Sequence, residues 1–231
     1  MATTSKTLLV IGSGPGIGRA VTTLFASKRY DHVALIARRA EQLEVEKRTI
    51  FETVGSHVKV KTFAVDVTHT DALNKALDAA DAELGKPESI FYNAARVLPS
   101  QLLSHDVKEI EYDLKITVSA LYVVAQRYIP HLVELAKADK SAYPSFIVTS
   151  SMLPQQPLPF VFALSTVKAA QRTLVQCLNM TYAPEGVIVG LVNVAGQVSP
   201  EHETWNPTNI AAKAWDWVVG HKENPAFEVL I

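Results

Sequence analysis

The residues from Ile11 to Gly18 read Ile-Gly-Ser-Gly-Pro-Gly-Ile-Gly, directly after the apolar run Thr7 to Ile11 and at the start of an amphipathic stretch from Ile17 to Lys28. Glycine tolerates the dihedrals of a tight turn, and without a side chain it lets backbone N–H groups approach an anion at a helix N-terminus. A strand, a glycine turn and a helix in that order suit the pyrophosphate of a dinucleotide, so Gly12, Ser13, Gly16, Ile17 and Gly18 are candidate cofactor contacts. A second chemical signal follows the next apolar run, Val33 to Ala37, which ends in Arg38-Arg39. A carboxylate at that point would bind the ribose 2′-hydroxyl of NAD, whereas a guanidinium accepts the 2′-phosphate of NADP. No carboxylate is present, so Arg38 points to NADP(H).

Positioning such groups takes regular elements, and strand-like and helix-like segments alternate along the chain. Strands are expected at Thr7–Ile11, Val33–Ala37, Val58–Val65, Ser89–Tyr92, Ser145–Thr149, Val187–Val194 and Phe227–Ile231. Helices are expected at Ile17–Lys28, Ala40–Val54, Thr70–Leu84, Asp113–Ala138 with a bend near Pro130, at least Ser165–Tyr182, and Ile210–Val219. Continuously apolar strands between helices imply a parallel sheet covered on both faces. The expected fold is α/β, a single Rossmann-type doubly wound sheet of about seven strands spanning residues 1–231 as one domain. No repeat or linker interrupts it, and Pro154, Pro157 and Pro159 mark an expected active-site loop.

Composition excludes several other classes. The formal net charge is −1, which gives no electrostatic reason to expect nucleic acid or an anionic membrane as partner. The run Leu8 to Ile11 is too short for a signal-peptide core, and no run approaches about 18 apolar residues, so a cytoplasmic location is expected. The one cysteine, Cys177, excludes an internal disulfide and a cysteine zinc site; beside Leu174, Val175 and Leu178 it is expected to be a buried core thiol. The histidines lack i, i+4 pairing and shared carboxylates, so no metal is expected.

Further matches have a family order. Gly12, Gly16 and Gly18 fit a Gly-x-x-x-Gly-x-Gly turn, Asp66-Val67 follow the third strand, Asn93-Ala94-Ala95 end the fourth, and Ala195-Gly196-Gln197-Val198-Ser199 follow the sixth. With these the chain resembles the short-chain dehydrogenase/reductase family over nearly all of its length. The resemblance implies that Asp66 and Val67 contact adenine, that Asn93 and Ala94 border the cofactor, and that Val198 lies by the nicotinamide. It also implies a serine, a tyrosine and a lysine for proton transfer, supported by a helical asparagine. Ser151 and Lys168 match the serine and the lysine, and Lys168 would also hold the nicotinamide ribose. The tyrosine position holds Leu164, thirteen residues after Ser151, and the asparagine position holds Thr117.

General acid catalysis is typically worth about 10²–10⁴ in rate, so a site without the tyrosine needs another route. Three readings follow. The first is an NADP(H)-dependent reductase of an apolar carbonyl or imine-type substrate, with a substitute acid or an electrophile that needs none. The second is a redox-neutral isomerase or cyclase on the same scaffold, and the third a non-catalytic NADP-binding scaffold. Arg96, His105 and His202 are the candidate substitute donors. Pro200 to Pro207 would form a short lid with Trp205 lining an open site, while Trp215 and Trp217 belong to core or subunit contact. Pro154, Leu158, Phe160 and Phe162 favour a bulky apolar substrate, as in secondary metabolism. The family habit implies a homodimer or homotetramer, built on helices carrying Tyr122, Val123, Val124, Leu174, Val175 and Leu178.

Overall fold

A computed structural model describes residues 6–231. Seven strands, β1 (Thr7–Ile11), β2 (His32–Ala37), β3 (Lys59–Ala64), β4 (Ser89–Tyr92), β5 (Ser145–Ser151), β6 (Ile188–Val194) and β7 (Glu228–Leu230), form one sheet in the order β3-β2-β1-β4-β5-β6-β7. Every neighbouring pair is parallel, which makes the architecture a Rossmann-like doubly wound α/β fold. The helices are α1 (Ile17–Lys28), α2 (Ala40–Val54), α3 (Thr70–Leu84), α4 (Val107–Leu114), α5 (Ala120–Ala138), α6 (Phe162–Tyr182) and α7 (Pro207–Gly220). The strand order reverses between β1 and β4, and the crevice above that point is where such sheets take ligands.

The sheet is apolar throughout because both of its faces are covered. In β5, Phe146 and Val148 join Leu121, Val124 and Tyr128 of α5 on one side, while Ile147 joins Phe25 of α1 and Ile210 and Val218 of α7 on the other. Alternate residues therefore enter different cores, and the strand reads as one unbroken hydrophobic run. Among the described residues no helix is long and apolar enough to cross a membrane.

Two expectations need correction. The helix expected from Asp113 begins at Val107, where the Asp106 side chain caps it by accepting from Lys108 N at 2.9 Å. Its irregularity falls not at Pro130, which sits inside α5, but in a π-helical segment, Lys115–Ser119, that joins α4 to α5. There the hydrogen-bond ladder reaches one residue further, as from Ala120 N to Lys115 O. Two carbonyls of this segment are met by side chains from elsewhere: Tyr92 Oη donates to Ile116 O at 2.5 Å, and Gln171 Nε2 donates to Thr117 O at 3.2 Å. The second correction is Cys177, which is exposed. The buried face of α6 runs through Leu164, Lys168, Gln171 and Val175, and a residue two places past Val175 lies roughly 200° further round the helix.

Candidate functional site

The glycine turn is shaped by what it packs against. Gly12 has φ of 91°, and a Cβ there would stand 2.4 Å from Ala94 N, so β1 and the end of β4 approach too closely for any side chain. Asn93 Nδ2 fastens this approach by donating to Gly12 O at 3.0 Å. Gly18 is buried beneath the turn, where a Cβ would fall 2.8 Å from Gly12 O. Gly14 and Gly16 differ, since a Cβ on either would meet nothing within 4 Å. No side chain caps α1 after Gly16 and no acidic residue occupies its first turn, so its N-terminus has no side-chain partner among the described residues. Nearby, the buried Ser13 Oγ has no hydrogen-bond partner among the described residues.

A cavity of about 240 Å³ opens beside the turn, lined by Gly12, Ser13, Arg38, Asp66, Val67, Asn93 and Ala94 among others. Asp66 Oδ1 accepts from Thr68 N at 3.0 Å and Thr68 Oγ1 at 2.8 Å, and Oδ2 accepts from Tyr112 Oη at 2.7 Å. Burial pushes the Asp66 carboxyl up, but these bonds and the nearby Arg38 charge outweigh it and hold the group below its usual value. Arg38 is exposed, donates only to Tyr112 Oη at 3.3 Å, and makes no ion pair among the described residues. Tyr112 therefore joins both walls of the cavity. It carries no sequence signal, because its partners lie far along the chain, just past the ends of β2 and β3.

The second half of the site lies at the end of β5 and the start of α6. Ser151 Oγ accepts from Leu153 N at 3.3 Å in a local turn, while Thr149 Oγ1 and Ser150 Oγ are buried without partners. Lys168 is buried, and its Nζ donates to Thr149 O at 2.7 Å and Gln171 Oε1 at 2.9 Å. Burial among neutral groups pushes this ammonium down to about 7. Leu164, one turn earlier, is buried. Ser151, Lys168, Val198, Gly16, Ile17 and Gly18 lie outside the lining of the 240 Å³ cavity, and Val198 is exposed.

The suggested substitute donors are engaged elsewhere. Arg96 is a strut: Nε meets Asp113 Oδ1 at 2.6 Å, Nη1 meets Glu109 Oε2 at 2.7 Å, and its guanidinium lies over the Tyr112 ring. His202 Nδ1 accepts from Thr204 N and Trp205 N, which ties the ring into its own turn, and the ring stacks on Trp205. His105 packs edge-on against Phe162. Trp205 presses on Gly196 and donates from Nε1 to Ile231 O at 3.0 Å, so it closes the end of the sheet instead of lining an open lid. Trp217 is core, and Trp215 packs edge-on against Phe25. The loops after β4 and β5 are pinned to one another. Ser100 bridges to Val161, Ser100 N donates to Phe160 O at 2.9 Å, and Ala163 N donates to Ser100 Oγ at 3.1 Å.

A parallel doubly wound sheet with a glycine turn at its switch point defines the dinucleotide-binding class of protein. Within it, the chain belongs to the short chain dehydrogenase family, whose model matches residues 6–209. An uncharacterised oxidoreductase of Listeria monocytogenes is 31% identical over 84% of this chain and 74% of its own length. Among solved structures, a metagenomic short-chain oxidoreductase in complex with NADP superposes with a TM-score of 0.83 at 22% identity, over 99% of this chain and 97% of its own. L-sorbose reductase from Gluconobacter frateurii, solved with NADPH and L-sorbose, gives a TM-score of 0.75 at 22% identity, over 86% of this chain and 72% of its own.

Proposed function

We propose that this protein is an NADP(H)-dependent reductase of an apolar carbonyl or imine-type substrate, and that proton delivery in it does not use a tyrosine. The observation that carries the cofactor reading is Arg38, an exposed cation without an ion pair among the described residues, on the wall of the cavity just after β2, a strand that ends without a carboxylate. The site fits such a cofactor in three further respects: the uncapped start of α1, the open space over Gly14 and Gly16, and the orphaned Ser13 Oγ. Both structural neighbours described above were solved with NADP or NADPH.

In this reading Gly12, Ser13, Gly16, Ile17 and the N-terminus of α1 hold the pyrophosphate, with Gly18 letting α1 sit close behind them. Arg38 pairs with the 2′-phosphate, Asp66 and Val67 border the adenine, and Asn93, Ala94 and Val198 flank the remainder. NADPH when bound supplies the hydride. Ser151 orients the substrate, and Leu164 supplies no proton where the family places a tyrosine. The apolar substrate class rests on the rim, where Leu98, Leu102, Leu158 and Phe160 are exposed around the pinned loops. We also propose self-association through α5 and α6, where Tyr122 and Met180 are exposed.

Nicotinamide fluorescence during titration with NADPH and NADH tests the cofactor assignment. NADPH is expected to bind more tightly, and Arg38→Ala is expected to lower its affinity about 10–100-fold while leaving NADH nearly unchanged. Equal binding of both by the unaltered protein would reject the NADP(H) assignment. Turnover of a substrate without NADPH oxidation would favour the redox-neutral reading.

A further inference from the structure

Gln171 takes part in none of the functions described so far, yet it is wholly buried on the helix face turned toward the sheet. A buried primary amide is costly unless both ends are bonded. Here both ends are. Oε1 accepts from Lys168 Nζ at 2.9 Å and Nε2 donates to Thr117 O at 3.2 Å, a carbonyl of the π-helical segment. Lys168 Nζ continues the chain to Thr149 O at 2.7 Å. One line of hydrogen bonds thus runs from the long helix through Gln171 and Lys168 to the end of β5.

The acceptor count has a consequence for the lysine. An amine has two N–H donors and a lone pair, while an ammonium has three donors. Thr149 O and Gln171 Oε1 satisfy two donors, so the third position on the nitrogen is the one whose proton can leave. Among the described residues no charge opposes or reinforces this. Thr149, Ser150 and Ser151 of β5 and all of β6 are uncharged, and Lys115 of the π segment is exposed. Glu109 and Asp113 of α4 are paired with Arg96, Arg127 of α5 with Asp78 and Asp81, and Arg172 of α6 with Glu228 of β7. With Leu164 one turn away there is no side-chain oxygen at that position for Nζ to support.

We propose that Gln171 is a positioning residue that anchors Lys168 to the π segment and holds the lysine nitrogen as the group that gives the substrate its proton. This rests on the reductase reading. In that reaction the substrate carbon gains a hydride with its electron pair as NADPH becomes NADP⁺. The substrate oxygen gains one proton from the Lys168 ammonium, and the amine left behind regains a proton from solvent. Burial that brings the lysine down to about 7 lets both forms exist near neutral pH.

The test has two arms. In protein carrying ¹³C-lysine, the Lys168 Cε resonance is assigned by its loss in Lys168→Met and followed against pH without cofactor or substrate. A midpoint near 7 is expected, and the near-isosteric Gln171→Glu, which places a carboxylate on Nζ, is expected to raise it by about one to three pH units. A midpoint at the ordinary lysine value of 10.5, or no movement in Gln171→Glu, overturns the positioning role. The second arm follows NADPH-dependent reduction of 9,10-phenanthrenequinone, an apolar diketone. Loss of kcat as pH rises is expected at the same pH as the resonance midpoint and to shift with it in Gln171→Glu, with KM little changed. A kcat limb that stays while the resonance moves overturns proton delivery by Lys168. Failure of the unaltered protein to reduce the quinone counts against the reductase reading, and the resonance arm still decides what Gln171 does to Lys168.

Discussion

Gly12 shows how much a single residue can carry at this site. Gly12→Ala forces a Cβ to 2.4 Å from Ala94 N at a φ of 91°, so strain and backbone displacement come together. The expected result is a loss of about 2–4 kcal/mol in denaturant unfolding, together with loss of NADPH binding, because the junction of β1 with β4 is the floor of the cavity. The place of Gly12 in a tight turn and of Arg38 beside the cavity could be expected from spacing alone, because both are set locally. Gln171 and Tyr112 could not. Gln171 bonds Thr117, 54 positions away, and Tyr112 bonds Asp66, 46 positions away, so only the topology brings each pair together. Cys177 fails for a different reason: its apolar neighbours imply burial, but helical rotation carries it to the solvent side.

At the scale of the element, the strands and helices are legible because the sheet is buried on both faces and the helices on one. The π segment is not. One extra residue in a single turn changes which N–H meets which carbonyl and shifts the side-chain phase only once, and one shift within five residues leaves no repeating signature in the sequence. Its support comes from outside the helix, from Tyr92 of β4 and Gln171 of α6. Tyr92→Phe leaves Ile116 O buried without its donor and is expected to cost about 1–3 kcal/mol in thermal or denaturant unfolding. Crystallography or amide exchange of that variant is expected to show the disturbance centred on Lys115–Ser119.

For the whole molecule, the buried lysine couples folding to pH. Lys168 titrates near 7 when folded and near its ordinary 10.5 when unfolded, so between those values the unfolded chain binds more protons. Stability therefore rises with pH across that window, by up to about 1.4 kcal/mol per pH unit, and is flat with respect to this group below it. Urea unfolding at several pH values is expected to show that slope in the native protein and a flatter line in Lys168→Met. An unchanged slope in the variant would place its origin in other groups.

The pairing of Ser100 with Phe160 and Val161 reaches beyond the chemistry. Two loops that are far apart in the chain share one stretch of backbone bonding, so neither can change length or path without disturbing the other. If they rim the substrate, as proposed above, they act on it as a single unit. Grafting one loop from a relative breaks the join, whereas exchanging both together moves an intact rim onto the same sheet.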